Sequence, residues 1–91
     1  MRENPSVLVV DDEEIMREIL ESLLTREGYR VTLAASGEEA LELAKAASFD
    51  IAMVDVMMPG INGIQTLEKL KRINDALPVI IITAFGTPAN T

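Results

Sequence analysis

Three aspartates and one threonine stand where short apolar runs of the sequence end. Asp11 and Asp12 follow the first run, Asp55 follows a later one, and Thr83 follows the last. Carboxylate oxygens suit Mg²⁺, which prefers octahedral oxygen coordination and keeps positions open for a phosphoryl group. If these side chains meet, they form a site for a divalent cation.

Carboxylates that lie together repel one another. At roughly 4 Å and an effective dielectric near 20, each pair costs on the order of 4 kcal/mol before protonation relieves it. A hard divalent cation removes that cost. An alternative for Asp11 and Asp12, which precede Glu13 and Glu14, is a helix cap with acids that complement the helix dipole. That alternative leaves Asp55 unexplained.

The apolar runs predict the strands that position these residues. Residues 7–10, 51–54 and 79–82 are continuously apolar, and residues 30–34 form a weaker fourth candidate. Runs without polar alternation are typical of strands buried on both faces, as in a parallel sheet covered by helices.

The segments between the runs predict three helices. Ile15, Ile19 and Leu23 recur every four residues beside Met16, Leu20 and Leu24, so residues 14–26 have a broad apolar stripe. Helices are also predicted over about 36–47, after a capping-box pattern, and about 62–74. The order βαβαβαβ with right-handed crossovers gives an α/β, doubly wound parallel sheet, whose functional crevice lies at the carboxyl ends of the strands. We therefore expect the aspartates and Thr83 at one edge.

Composition limits the function classes. The chain has 91 residues, a net charge of −7, and neither Cys nor His, so one small domain is expected, without a zinc finger or Cys/His catalysis. The first 21 residues carry seven acids and two bases. The sequence has no Lys/Arg-rich patch, so direct nucleic-acid binding is not expected. Its apolar runs are too short for a signal peptide or a membrane span. A cytoplasmic location is the default expectation.

The turn after Asp55 identifies a family resemblance. Asp55 is followed by Val-Met-Met-Pro-Gly-Ile-Asn-Gly, in which Pro59-Gly60 predicts a bend. Together with the Val-Val-Asp-Asp-Glu of residues 9–13 and the Ile-Thr-Ala of residues 82–84, this segment resembles the receiver domain of two-component response regulators. The resemblance extends over about residues 5–85 and implies a flavodoxin-like fold with strand order 2-1-3-4-5.

The resemblance implies a role for each matching residue. Asp55 matches the phospho-acceptor, which takes a phosphoryl group from a histidine kinase or phosphotransfer protein. Asp11, Asp12, Asp55 and the backbone carbonyl of Met57 match the Mg²⁺ site. Thr83 matches the switch hydroxyl, and the Ala84 backbone N–H matches a phosphoryl contact. The domain would modify itself, turn over no metabolite, and control an output domain in its parent protein.

The sequence departs from the family at its end. Family members continue through a fourth helix, a fifth strand with a phosphoryl-binding Lys, and a fifth helix, whereas this sequence stops at Thr91 after a small, polar segment, 86–91, that is expected to be irregular. Lys45, Lys69 and Lys71 fall within predicted helices. We therefore expect a truncated receiver whose fourth strand is an exposed edge that promotes self-association.

Two other functions compete with the receiver. A Mg²⁺-dependent phosphohydrolase with an Asp nucleophile would want a second Asp soon after Asp55, where Val56 and Met57 stand. The second alternative is a self-associating assembly module with a vestigial site. Incubation with a phosphodonor separates the three, because a stable adduct, donor turnover without an adduct, and no adduct are different outcomes.

Overall fold

A computed structural model of the chain describes residues 4–55 and 63–82. These residues alternate strand and helix along the chain, in the predicted order. The elements are β1 (Ser6–Val10), α1 (Glu14–Arg26), β2 (Arg30–Ala34), α2 (Gly37–Ala46), β3 (Ile51–Asp55), α3 (Gly63–Ile73) and β4 (Val79–Ile82).

The four strands form one parallel sheet in the order β2-β1-β3-β4. In the register, Val10 pairs with Ala34 on one side and with Val54 on the other, and Asp55 pairs with Ile82. The α/β doubly wound topology predicted from the apolar runs is therefore confirmed. The two central strands, β1 and β3, are those that carry the acidic residues at their carboxyl ends.

The buried core lies between the sheet and the helix pair α2 and α3. Strand residues of one face, including Leu8 and Val54, pack there with Ala40 of α2, Leu70 of α3 and Leu77 of the following loop. Because strand side chains alternate between faces, Val7 and Val9 lie on the opposite face, where α1 packs on β1 and β2. Helices therefore cover both faces, as expected.

Helix α1 buries less than its apolar stripe suggests. None of its residues is fully buried; Met16, Leu20 and Leu24 are half-buried, whereas the exposed fraction is 73% for Ile15, 48% for Ile19 and 51% for Leu23. The described elements thus cover one side of the stripe and leave the other side open.

Short polar contacts fix the helix ends. At the start of α2, Glu39 N–H donates to Ser36 Oγ at 3.1 Å, and Ala35 N–H donates to Glu39 Oε1 at 2.8 Å. This exchange confirms the predicted capping box, with the acid reaching the residue before the cap. After α1, Gly28 adopts a φ of +96°, a left-handed conformation that glycine reaches without a Cβ clash.

Several predictions fall outside the described residues. They concern Met57, Thr83, Ala84 and the segment 86–91. Within residues 4–55 and 63–82, no helix combines the length and apolar character needed to cross a membrane.

Candidate metal centre

The sheet brings the carboxyl ends of β1 and β3 together. Asp11 comes directly after β1, and Asp55 is the last residue of β3. Since the two strands are parallel neighbours and Val10 is in register with Val54, the next residue of each strand reaches the same edge. Asp12 continues from Asp11 in the loop that leads to α1.

The three carboxylates converge at this edge. One carboxylate oxygen from each of Asp11, Asp12 and Asp55 lies within 4.8 Å of the other two. The Asp11 and Asp55 residues are only 1% and 2% exposed, whereas Asp12 is exposed. The cluster is therefore buried on the side of the two strand ends, at Asp11 and Asp55, and open to solvent on the side of Asp12.

Hydrogen bonds hold Asp11 in place. Its N–H donates to the Ala34 carbonyl at 3.1 Å, which continues the β1–β2 ladder by one residue. Its Oδ1 accepts the Glu13 N–H at 2.9 Å, and its main-chain carbonyl accepts Arg17 Nη1 at 2.8 Å. The carboxylate that joins the cluster is thus held by the start of α1.

The surroundings of Asp11 disfavour its charge. Burial raises the pKa of the Asp11 carboxyl above its ordinary value, the hydrogen bond from the Glu13 amide opposes this, and the negative charges of Asp55, Asp12 and Glu13 add to the rise. Burial and the neighbouring negative charges therefore destabilise the ionised Asp11 carboxylate, and a bound cation would offset this effect.

The donor set fits a hard divalent cation. Three carboxylates with mutually close oxygens, two of them buried, supply the charge and the oxygen ligands that Mg²⁺ prefers, and the exposed side leaves room for water or a phosphoryl oxygen. The cap alternative does not describe the start of α1: the N-cap residue is Glu13, which has no side-chain cap hydrogen bond, and Asp11 accepts the N–H of Glu13 itself. That alternative also does not account for the convergence with Asp55.

Among the residues predicted for the site, the structure brings Asp11, Asp12 and Asp55 together, while Met57, Thr83 and Ala84 lie outside the described residues. Arg17 was not among the residues predicted for the site. The sequence shows a base in the first turn of the helix, five residues after Asp12, but spacing alone does not show which atom such a side chain reaches.

Comparisons with known proteins agree with this geometry. A family model described as the response regulator receiver domain matches residues 7–91. The transcriptional regulatory protein AfsQ1 of Streptomyces coelicolor is 44% identical over 80 residues, which are 88% of this chain and 35% of AfsQ1. The transcriptional regulatory protein ZraR of Escherichia coli is 44% identical over 85 residues, 93% of this chain and 19% of ZraR. The chain thus spans about a third or less of these relatives.

A solved structure shares the fold. The response regulator TrrA of Thermotoga maritima, in complex with Mg²⁺-BeF, has a TM-score of 0.86 at 35% identity, covering 90% of this chain and 71% of its own. Receiver domains of this kind are signalling modules of two-component response regulators. From the strand order, the acidic edge and the match over residues 7–91, the chain belongs to the response regulator receiver domain family.

Proposed function

We propose that this chain accepts a phosphoryl group on Asp55 with the help of Mg²⁺ and thereby switches its interactions. The convergence of Asp11, Asp12 and Asp55 carries this proposal. The TrrA structure with Mg²⁺-BeF supports it, since a relative with the same fold binds this ion with a fluoride compound.

The chemistry follows from the position of each carboxylate. A carboxylate oxygen of Asp55 attacks the phosphorus of the donor's phosphohistidine, the new P–O bond forms as the P–N bond breaks, and the departing imidazole keeps the electron pair and takes up a proton. Mg²⁺, held by Asp11, Asp12 and Asp55, would neutralise charge on the carboxylates and on the phosphoryl oxygens. Burial of Asp55 at the strand end limits competing access of water to the new acyl phosphate.

The remaining roles are proposed from the family resemblance. The Met57 carbonyl completes the Mg²⁺ ligands, the Thr83 hydroxyl turns toward the phosphoryl group, and the Ala84 N–H donates to a phosphoryl oxygen. The donor is a histidine kinase or phosphotransfer protein in the cytoplasm, and the signal passes to an output domain. The naming of AfsQ1 and ZraR as transcriptional regulators supports an output in transcription.

Intact-mass measurement tests this proposal. The chain is incubated with Mg²⁺ and a small-molecule phosphodonor, beside Asp55→Asn and the control Asp75→Asn, which removes the same charge at an exposed site after α3. We expect one phosphoryl adduct on the wild type and the control, none on Asp55→Asn, and none after chelation of Mg²⁺. Donor turnover without an adduct would instead indicate a phosphohydrolase, and the absence of both would refute phosphoryl chemistry.

Self-association is a second candidate function, favoured by the surface of β4. This strand is at one edge of the sheet formed by the described residues, and its Ile80 is 44% exposed. Val79 and Ile81 pack toward the core, so Ile80 faces the side of α1, where Ile15 and Ile19 are also exposed. An apolar edge strand, on a sheet whose same face carries exposed apolar helix residues, is the kind of surface that pairs with a second copy.

Sedimentation velocity tests this second candidate. The wild type is expected to form dimers at tens of micromolar or above, and Ile80→Lys should return it to a monomer. Ile64→Lys is the matched control, because Ile64 is 49% exposed on α3, on the other face of the sheet. A monomeric wild type at high micromolar concentration would exclude an assembly role.

A further inference from the structure

Arg17 connects α1 to the loop that carries the acidic pair. Its Nη1 donates to the main-chain carbonyl of Asp11 at 2.8 Å in a partly buried setting. This carbonyl belongs to the peptide between Asp11 and Asp12. The guanidinium therefore holds the peptide that determines where the Asp12 carboxylate lies relative to Asp11.

Two further bonds fasten the same loop. Glu13 N–H donates to Asp11 Oδ1 at 2.9 Å, and Arg17 N–H donates to the Glu13 carbonyl at 3.0 Å. Arg17 thus contacts the loop twice, once through its side chain and once through its main chain. The loop is closed on itself by Asp11 and on α1 by Arg17.

Arg17 is positively charged and therefore cannot be a ligand of the metal ion. A guanidinium is always positive and repels a divalent cation, and this one bonds to a main-chain oxygen, so both Asp11 carboxylate oxygens remain outside its hydrogen bond. The positive charge of Arg17 therefore disfavours a nearby divalent cation. The hydrogen bond to the Asp11 carbonyl is the contact that can offset this repulsion.

We propose that Arg17 is a positioning residue for the metal centre: by holding the Asp11 carbonyl, it orients the Asp11–Asp12 pair for a divalent cation. This inference rests on the proposed function, since it assumes that the cluster binds Mg²⁺. Residues that hydrogen-bond to a metal ligand without contacting the metal commonly lower the metal affinity by 10- to 100-fold when they are removed.

Calorimetric titration of the full chain with Mg²⁺ tests the inference. Arg17→Met removes the charge and the donor but keeps an unbranched apolar stem. Arg26→Met is the matched control, because Arg26 lies in the last turn of the same helix and its loss changes the net charge equally. Arg17→Lys keeps the charge and a donor but loses the planar fork.

We expect Arg17→Met to weaken Mg²⁺ binding about tenfold. Arg26→Met should leave the affinity unchanged or slightly raised, and Arg17→Lys should recover part of the loss. A purely electrostatic role of Arg17 predicts the opposite change, since loss of a positive charge alone strengthens cation binding. Circular dichroism and urea unfolding of each variant establish that the folded state is compared.

The outcomes separate this inference from the proposed function. If the wild type binds Mg²⁺ and forms the Asp55 adduct, but Arg17→Met binds Mg²⁺ as tightly as Arg26→Met, only the positioning role of Arg17 is overturned. If the wild type binds no Mg²⁺, the proposed function fails, and the positioning role fails with it. A loss specific to Arg17→Met with partial recovery by Arg17→Lys supports both.

Discussion

Replacing Asp11 by Asn should stabilise the metal-free protein and remove the stabilisation that Mg²⁺ provides. Asn keeps the size of the side chain and an Oδ1 that can accept the Glu13 N–H, so the hydrogen bond at 2.9 Å is retained. The substitution removes one of three negative charges. It therefore relieves the desolvation of a buried charge and, beside that, the repulsion within the cluster.

The separation of the carboxylates sets the magnitude. Oxygens of Asp11 and Asp55 lie within 4.8 Å, and at an effective dielectric near 20 this corresponds to about 3 kcal/mol of repulsion between two full charges. Solvent at the exposed Asp12 screens part of this repulsion. We expect a net gain of about 1–2 kcal/mol at neutral pH, or roughly 4–8 °C in Tm for each kcal/mol.

The assay is thermal unfolding with chelator and with saturating Mg²⁺, with Asp75→Asn as the exposed control. In chelator, Asp11→Asn should melt above the wild type, while Asp75→Asn changes little because an exposed charge is screened. With Mg²⁺ at about 100 times its Kd, the wild type should gain about 2.7 kcal/mol and the variant much less, which reverses their order. A variant that melts at or below the wild type in chelator would refute the repulsion argument.

Three further predictions concern stability. Between the ordinary carboxyl pKa and the raised pKa of Asp11, the metal-free folded state binds more protons than the unfolded state, so its free energy of unfolding should fall as pH rises. In urea titrations, the advantage of Asp11→Asn should shrink as pH is lowered through this window; a constant advantage contradicts the assignment. Ser36→Ala should lower the free energy of unfolding by about 1 kcal/mol through loss of the α2 cap, whereas Ser22→Ala on exposed α1 should not, and equal effects would contradict the capping role. Leu70→Ala should cost about 2–5 kcal/mol by opening a cavity in the core, against a small effect for the exposed Ile64→Ala on the same helix, and a loss below 1 kcal/mol would contradict tight packing there.

The acidic cluster was predictable because topology alone brings strand ends together. Asp11 and Asp55 each terminate an apolar run, and a parallel sheet with helical crossovers places such ends at one edge whatever the loops do. The continuous apolar character of the runs was sufficient for that step. Side-chain detail was not needed.

Details that depend on neighbouring elements were not predictable. Periodicity marks Ile15, Ile19 and Leu23 as apolar, but it does not show which side of a wide stripe the sheet covers, and these three are exposed. Helical spacing also does not show that Lys71, a charged residue of α3, is half-buried and that its Nζ donates to the Leu77 carbonyl at 2.8 Å. Such contacts follow from the path of the chain after a helix, which spacing does not encode.

The pairing of β1 with β3 has a consequence for folding kinetics. Asp11 and Asp55 are more than forty residues apart in sequence and become neighbours only when these two strands pair, after loop closure over α1, β2 and α2. A cation that needs both carboxylates cannot bind an intermediate in which only contacts within helices or among β1, α1 and β2 have formed. Mg²⁺ should slow unfolding if β1 and β3 pair after the folding transition state and accelerate folding if they pair before it, so the ion becomes a kinetic reporter of when the central strands come together.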